Sequence, residues 1–477
     1  MSGKKRIIEL IEQKKDVFTD ISNQVWEFAE TRFALNKSAD LLCAAMKKEG
    51  FKITRGLAGM KDAFIAEYGQ GSPVIGILAE YDALTNMSQE SDVAAPCPIK
   101  AGESGHGCGH HLLGAGAAAG AVGIKDYMEE AKLSGTIRLF GCPAEESGYG
   151  KAFMARDGIF NGTDVAITWH PMDSTGIWDF SSLAVFQTYF RFKGRAAHAA
   201  AAPEHGRSAL DAAELMNIGV NFLREHMIDE GRVHYAFTDA GGTSANVVQP
   251  TAELYYFVRA PKTDQAKEIY DRVVKIAQGP AMMTETELEI DFDSACASYL
   301  VNQELGRVMY DNLKQVSPIK YTPEEMTYAK QFYDQLPEAT KNQIARKIEA
   351  FLPGEEKRVI EEEAKSSINR LVAPLIFPSK PMSGSTDVGD VSWTIPTVTA
   401  VVTTAPNGTP AHSWQWVAIG KSSIAHKGMI TAGKTIAMTA LDLLENPEII
   451  NKAKEEHIRN LGGKPYQSAI PPEVSPS

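Results

Sequence analysis

Several things are scarce in this 477-residue chain, and each scarcity removes a class of function. Cysteine is one: Cys43, Cys97, Cys108, Cys142 and Cys296 are odd in number and scattered. No disulfide framework is expected from them, and a reduced compartment, the cytoplasm, fits best. Long apolar runs are also missing, the longest small-apolar stretch being Leu112–Ile124, too short to span a bilayer. The first residues, MSGKKRIIELIEQKKDVF, hold two apolar dyads but no continuous apolar block, so they read as an amphipathic helix and not as a secretory signal. Positive charge is in deficit, 48 Lys and Arg against 60 Asp and Glu for a net −12, with no basic stripe. That argues against a nucleic-acid partner or an anionic membrane surface. Neither a G-x-S-x-G nucleophile elbow nor a GK[ST] phosphate loop occurs. GAGAAAG is one residue off the dinucleotide fingerprint and begins away from a strand, so it reads as close helix packing.

What is present is a long α/β pattern. The length suggests two or three domains. Strand-like PVIGILAE, TIRLFGCP and DVAITWHP alternate with helical segments, which predicts a mostly parallel sheet, with the last of these strands stopping at its proline. From about residue 184 to 293 the order becomes β-α-β-β-α-β, the ferredoxin-like arrangement, predicting an inserted lid or dimerisation domain. The catalytic domain would then comprise residues 1–183 and 294–477. Within it, residues 301–370 read as an added helical segment whose acidic runs are solvated faces, and the terminal SAIPPEVSPS as a loose tail.

Ligands of open parallel sheets collect at the carboxyl ends of strands. Here those ends carry Glu80 and Asp82, the adjacent Glu145 and Glu146, and His170. A glycine-loosened turn with Cys108 and His110 precedes a helix, and His412 lies in a late loop. Cysteine, histidine and glutamate suit zinc, and two cations could share them. Taken singly, each has a bland reading: a packed histidine, an inert thiol, a solvated Glu-Glu pair. Together they favour metal, because adjacent carboxylates at the end of a buried strand repel unless a cation or proton compensates. With Glu146 on a cation, Glu145 is left to move a proton. His106, His205 and Cys142 keep the structural reading.

The stretches CGHHLLGAGAAAG, CPAEE, TWHP, GRAAHAAAAPEHGRSALDA, GGTSANVVQP, SGSTDVGDVSW and GTPAHSWQ, in this order, closely resemble the two-metal amidohydrolases. That family includes aminoacylases, carboxypeptidase G-type enzymes, hippurate hydrolases and auxin-conjugate hydrolases, and the resemblance covers nearly the whole chain. SGSTDVGDVSW, AHSWQ and the helical segment look most like the branch acting on p-aminobenzoyl-glutamate, an aryl-glutamate conjugate. A related branch holds dipeptidases.

The resemblance implies two divalent ions, Zn2+ or Mn2+, held by Cys108, His110, Glu146, His170 and His412. It implies Glu145 as general base and Asp82 as a carboxylate orienting a ligand. His198 would polarise the scissile carbonyl or stabilise the oxyanion, often in the site of a dimer partner. Asn246 and Arg259 would hold the substrate's carboxylate, with Lys193 or Arg195 as further cationic candidates by location. Trp169, Trp178 and Trp393 are candidates for an aromatic acyl pocket. His111 stands where many relatives have Asp or Asn, and an orienting donor, an extra ligand or a filled helix N-terminus all stay open. The expected activity is metal-dependent hydrolysis of an N-acyl amino acid by a homodimer, or by a subunit that works only with a homologous partner. Dipeptide hydrolysis and a non-catalytic metal-binding module are the alternatives.

Overall fold

The computed structural model describes residues 3–476. The described residues form eleven strands: β1 (Lys52–Leu57), β2 (Met60–Gln70), β3 (Val74–Glu80), β4 (Gly135–Cys142), β5 (Val165–Met172), β6 (Gly176–Ile177), β7 (Ala184–Lys193), β8 (Arg232–Asp239), β9 (Thr251–Ala260), β10 (Glu287–Cys296) and β11 (Thr397–Thr403). Seven make one sheet in the order β1-β2-β4-β3-β5-β11-β6. Its central strands β4, β3, β5 and β11 run parallel, and the edge pairings are antiparallel. Because the central four run parallel, their carboxyl ends open on one edge, and the loops leaving them meet there.

One face of this sheet is covered by helices His110–Ala131, Ser423–Glu445 and Gly3–Phe28, whose buried side chains join those of the strands in a single core. The small residues of His110–Ala131 are there for closeness. A Cβ on Gly116 would lie 2.8 Å from the Trp169 ring, and one on Gly120 2.8 Å from Ile436. The GAGAAAG run is therefore a helix-packing surface. No helix among the described residues is long and apolar enough to cross a membrane.

The remaining four strands form a second, antiparallel sheet in the order β10-β7-β9-β8, with helices Ala209–Leu223 and Thr263–Thr284 packed on it. Strand alternation builds its core: Leu254, Tyr256 and Val258 of β9 are buried while Tyr255 and Phe257 face the other side.

Three local expectations are corrected. The helix Gln303–Val316 is not part of an added segment, since Leu305, Met309 and Leu313 lie in the main core. The added helices are Pro323–Tyr333, Glu338–Phe351 and Lys357–Ala364. The tail is docked: Ile470 is buried, and the Arg156 guanidinium donates to the carbonyls of Pro471 (3.2 Å) and Val474 (2.6 Å). Strand β5 also continues past its proline to Met172. Its ladder with β3 ends at Ile167, so Pro171 pairs with β11 alone and its missing N–H costs no bond to β3.

Candidate metal centre

The parallel strands deliver the expected ligand-type residues to one edge. β3 ends at Glu80, beside Cys142 at the end of β4, and His170 of β5 sits opposite Val401 of β11. The turn before helix His110–Ala131 adds two more. Gly109 adopts a left-handed φ of +81° between Cys108 and His110, and a Cβ there would meet Pro171 at 3.0 Å. Glycine at this point lets the chain reverse tightly enough for both side chains to face the strand ends. Two other residues with left-handed backbone mark the site: Ala144 (φ +60°), just before the glutamate pair, and His412 (φ +51°). Such geometry in non-glycine residues persists only where the surroundings enforce it.

Three overlapping sets offer ligand atoms within 4.8 Å of one another: Cys108, His110 and His170; Cys108, Glu146 and His412; Glu80, His110 and Glu145. Orientation is built in. His110 Nδ1–H donates to Asp82 Oδ1 at 2.9 Å, and the other Asp82 oxygen accepts the Glu146 backbone N–H at 2.9 Å. His170 Nδ1–H donates to the Pro171 carbonyl at 2.8 Å. Both rings thus keep Nε2 free to ligate, which is how metal-binding imidazoles are commonly oriented. His170 Nε2 lies 3.5 Å from Cys108 Sγ, and His412 Nε2 lies 3.4 Å from Glu146 Oε2. The buried His110 Nε2 and Glu146 Oε1 have no hydrogen-bond partner. Unsatisfied buried atoms are costly and rare, and two of them aimed into one sulfur, nitrogen and oxygen donor set fit a divalent cation well.

The electrostatics agree. Burial, reinforced by Glu80, Glu146 and Asp387, pushes the Glu145 carboxyl well above the usual range. Burial also raises Glu146, although His110 and His412 pull the other way. Burial lowers His170 to about 4, helped by His110, so that ring is neutral. Glu80 behaves oppositely. Burial would raise it, but Lys151 and His110 hold it below its ordinary value.

That lysine is a part of the site the sequence does not reveal. Lys151 is fully buried, with Nζ 2.8 Å from Glu80 Oε1 and 2.5 Å from Asp387 Oδ1, and its backbone N–H donates to Asp387 Oδ2 at 2.8 Å. In the sequence, SGSTDVGDVSW stands out as a motif with no role for Asp387, and Lys151 is one residue of a short helix. The only available signal is a lysine five residues beyond the glutamate pair.

Of the expected site residues, Cys108, His110, Glu145, Glu146, His170, His412 and Asp82 come together. The other three do not join them. His198 is exposed, with Nδ1 accepting the N–H groups of Ala200 (3.2 Å) and Ala201 (3.1 Å). Asn246 is its neighbour, its carbonyl accepting the Ala199 N–H at 2.9 Å. Arg259 stands closer to the centre, its Nη1 donating to Ser385 Oγ at 2.6 Å, two residues from Asp387. Lys193 pairs with Glu289 and Arg195 reaches the His205 carbonyl, both away from the centre. His111 falls in none of the ligand sets: it is buried and its Nε2 donates to the Gly420 carbonyl at 3.0 Å. His106 bonds the Val25 carbonyl at 3.0 Å, which keeps the structural reading. Trp169 and Trp393 spend their indole N–H groups on the carbonyls of Leu113 and Ser298. Trp178 packs against the centre, its ring 6.1 Å from that of His170.

Residues 76–415 match the family described as Peptidase family M20/M25/M40. The chain belongs to that family. Its members are metallopeptidases and amidohydrolases, and the chain is one of these enzymes. It is 44% identical to a p-aminobenzoyl-glutamate hydrolase subunit of Escherichia coli (strain K12), covering 99% of this chain and 98% of that one. A different subunit under the same enzyme name, from the same strain, is 29% identical over 45% of this chain and 51% of its own length. A solved structure described as a dinuclear metal binding peptidase from M20 family, of Bacillus subtilis, superposes with a TM-score of 0.55 at 17% identity, covering 91% of this chain and 99% of that one.

Proposed function

We propose that this M20-family enzyme hydrolyses the amide bond of aryl-glutamate conjugates of the p-aminobenzoyl-glutamate type, with two divalent cations held by Cys108, His110, Glu146, His170 and His412. The observation that carries the substrate is the full-length 44% identity to a relative named for it. The cations, when bound, polarise the scissile carbonyl and acidify water.

The chain's own groups do the rest. Glu145, grouped with Glu80 and His110 at the same edge, takes a proton from water and delivers it to the departing amide nitrogen. Asp82 holds the His110 ring and the Glu146 backbone in one grip. Trp178 and Phe180, their rings 5.4 Å apart beside His170, suit an aromatic acyl group. Arg259 supplies positive charge for the glutamate carboxylate. The four-stranded sheet acts as the lid and dimer surface, and His198 and Asn246 at its end reach a site only on closure or in a partner's centre. The exposed Tyr235 and Phe237 on the free edge strand β8 support that reading. A second, homologous chain is the alternative partner, and similarity to two differently named subunits of the relative enzyme favours it. Five free cysteines suit the cytoplasm.

The test is release of glutamate from p-aminobenzoyl-glutamate by the purified chain, stripped of metal and reloaded with zinc or manganese, beside N-acyl amino acids and β-alanyl dipeptides. Metal-dependent release that ranks the aryl-glutamate first is expected. A dipeptide ranking first would overturn the substrate. Silence with metal bound, relieved by a second protein, would make the chain a dependent subunit.

A further inference from the structure

The added helices between residues 323 and 364 have no part in the proposed reaction, yet they touch the chain on both sides of His412. Before it, a Cβ on Gly408 would lie 2.5 Å from Ile344 and 2.8 Å from Leu336, so this loop is seated directly on helix Glu338–Phe351. Lys347 of that helix pairs with Asp173 at 2.8 Å, and the other Asp173 oxygen accepts the Gly408 N–H at 3.0 Å. Asp173 lies three residues beyond His170, so one carboxylate ties the added helix to the segments bearing two expected ligands. The Asn407 N–H also donates to the Ser367 carbonyl at 2.8 Å. After His412, Trp414 packs on Phe332 of helix Pro323–Tyr333 with ring centroids 6.0 Å apart. His412 itself is exposed and has left-handed backbone; its Nε2 lies 3.4 Å from Glu146 Oε2, and its N–H donates to the Gly107 carbonyl at 3.2 Å. Its own loop adds short-range turns, Thr409 to Pro406 and Ser413 to Pro410, which shape the loop without tying it to the rest of the fold.

We propose that the added helices are a splint for His412, so that they set the affinity of the outer cation position, the one built from Cys108, Glu146 and His412, and leave the inner one alone. This rests on the reading of those residues as ligands. Lys347 is a positioning residue, acting through Asp173 and Gly408. Residues that orient ligands typically change metal affinity by ~10- to 100-fold when removed, and the same range is expected here for one cation of two.

The experiment titrates metal-free full-length protein with zinc against a chromophoric chelator, with bound metal counted independently by mass spectrometry. The unaltered chain should take two equivalents, and His412→Ala should lose the second. Lys347→Met and Ile344→Ala should weaken the second by ~10-fold or more with the first unchanged, and Lys347→Arg should restore it. Apo-protein circular dichroism reports whether each variant is folded. Unchanged second-site affinity in both Lys347→Met and Ile344→Ala, or equal weakening of both equivalents, would overturn the splint. Two equivalents retained by His412→Ala would instead overturn the ligand assignment and the splint with it.

Discussion

The inner and outer halves of the centre are built on different principles. Cys108, His110 and His170 sit at strand ends and a helix start, His110 fully buried and the other two half-buried, with Asp82 and the Pro171 carbonyl fixing the two rings. Behind them, Glu80, Lys151 and Asp387 form a fully buried charge cluster. His412 has none of this. It is about half exposed (51%), on a loop, 3.4 Å from Glu146. Secondary structure positions the inner half, because strand ends have nowhere else to go. Packing between distant segments positions the outer half. The inner half should therefore resist local change and fail globally, and the outer half should fail locally.

The largest effect should come from the carboxylate that belongs to neither half. Glu145→Gln should lower turnover by ~10²- to 10⁴-fold with both cations retained. Loss of metal instead would mean that the roles of Glu145 and Glu146 are exchanged, which metal counting on the variant reads directly. Next is the cluster behind the inner half. Lys151→Met leaves two buried carboxylates facing each other and should cost ~3–5 kcal/mol of unfolding free energy, measured by denaturant titration of the apo protein. A loss below about 1 kcal/mol, well under the cost of breaking a buried pair, would mean that Glu80 and Asp387 share a proton without it.

A sharper version of the contrast compares cation removal in two variants. His412→Ala should keep one equivalent and the fold, whereas His110→Ala should lower metal affinity and melting temperature together. Equal behaviour of the two would erase the distinction between halves. A pH-dependent effect lies outside the ligand sets, at Asp390. Burial lifts Asp390 to about 7, against an ordinary value near 3.8, with Asp387 adding repulsion while the Tyr466 hydroxyl (2.7 Å) and the Ala297 N–H (2.9 Å) oppose the rise. Since the folded state holds this proton more tightly, its stabilising contribution is full below about pH 4 and lost as pH rises through about 7. The stability advantage of the parent over Asp390→Asn should shrink over that window and then flatten, as parallel unfolding curves of the two apo proteins would read. A difference that grows with pH would show that Asp390 is ionised in the folded chain.

Much of the inner half is legible in the sequence because strand ends announce themselves. An apolar run followed at once by carboxylates or histidine, as in PVIGILAEYD and TIRLFGCPAEE, has one structural meaning in a parallel sheet. The alternation of β9 and the β-α-β-β-α-β order are equally readable, being local periodicities. Lys151 is not, because a lysine in a short helix carries no mark of burial until its partners arrive from Glu80 and from Asp387, the latter far along the chain. His111 is ambiguous for the same reason, since only the approach of Gly420 gives its ring a partner. The tail misleads because its prolines and serines suggest disorder, while Arg156 and a hydrophobic seat for Ile470 lie far away in sequence.

By itself, then, the sequence determined which donor types are present and on which strand ends they stand, beside a pair of adjacent carboxylates. Those are matters of short-range spacing, and backbone geometry translates them directly. The tertiary structure decided which histidines offer nitrogens to one donor cluster, what neutralises the buried charge, and what holds the segments around His412. Each of these depends on the meeting of residues far apart in the chain, and only the packed core brings such residues within a few ångströms.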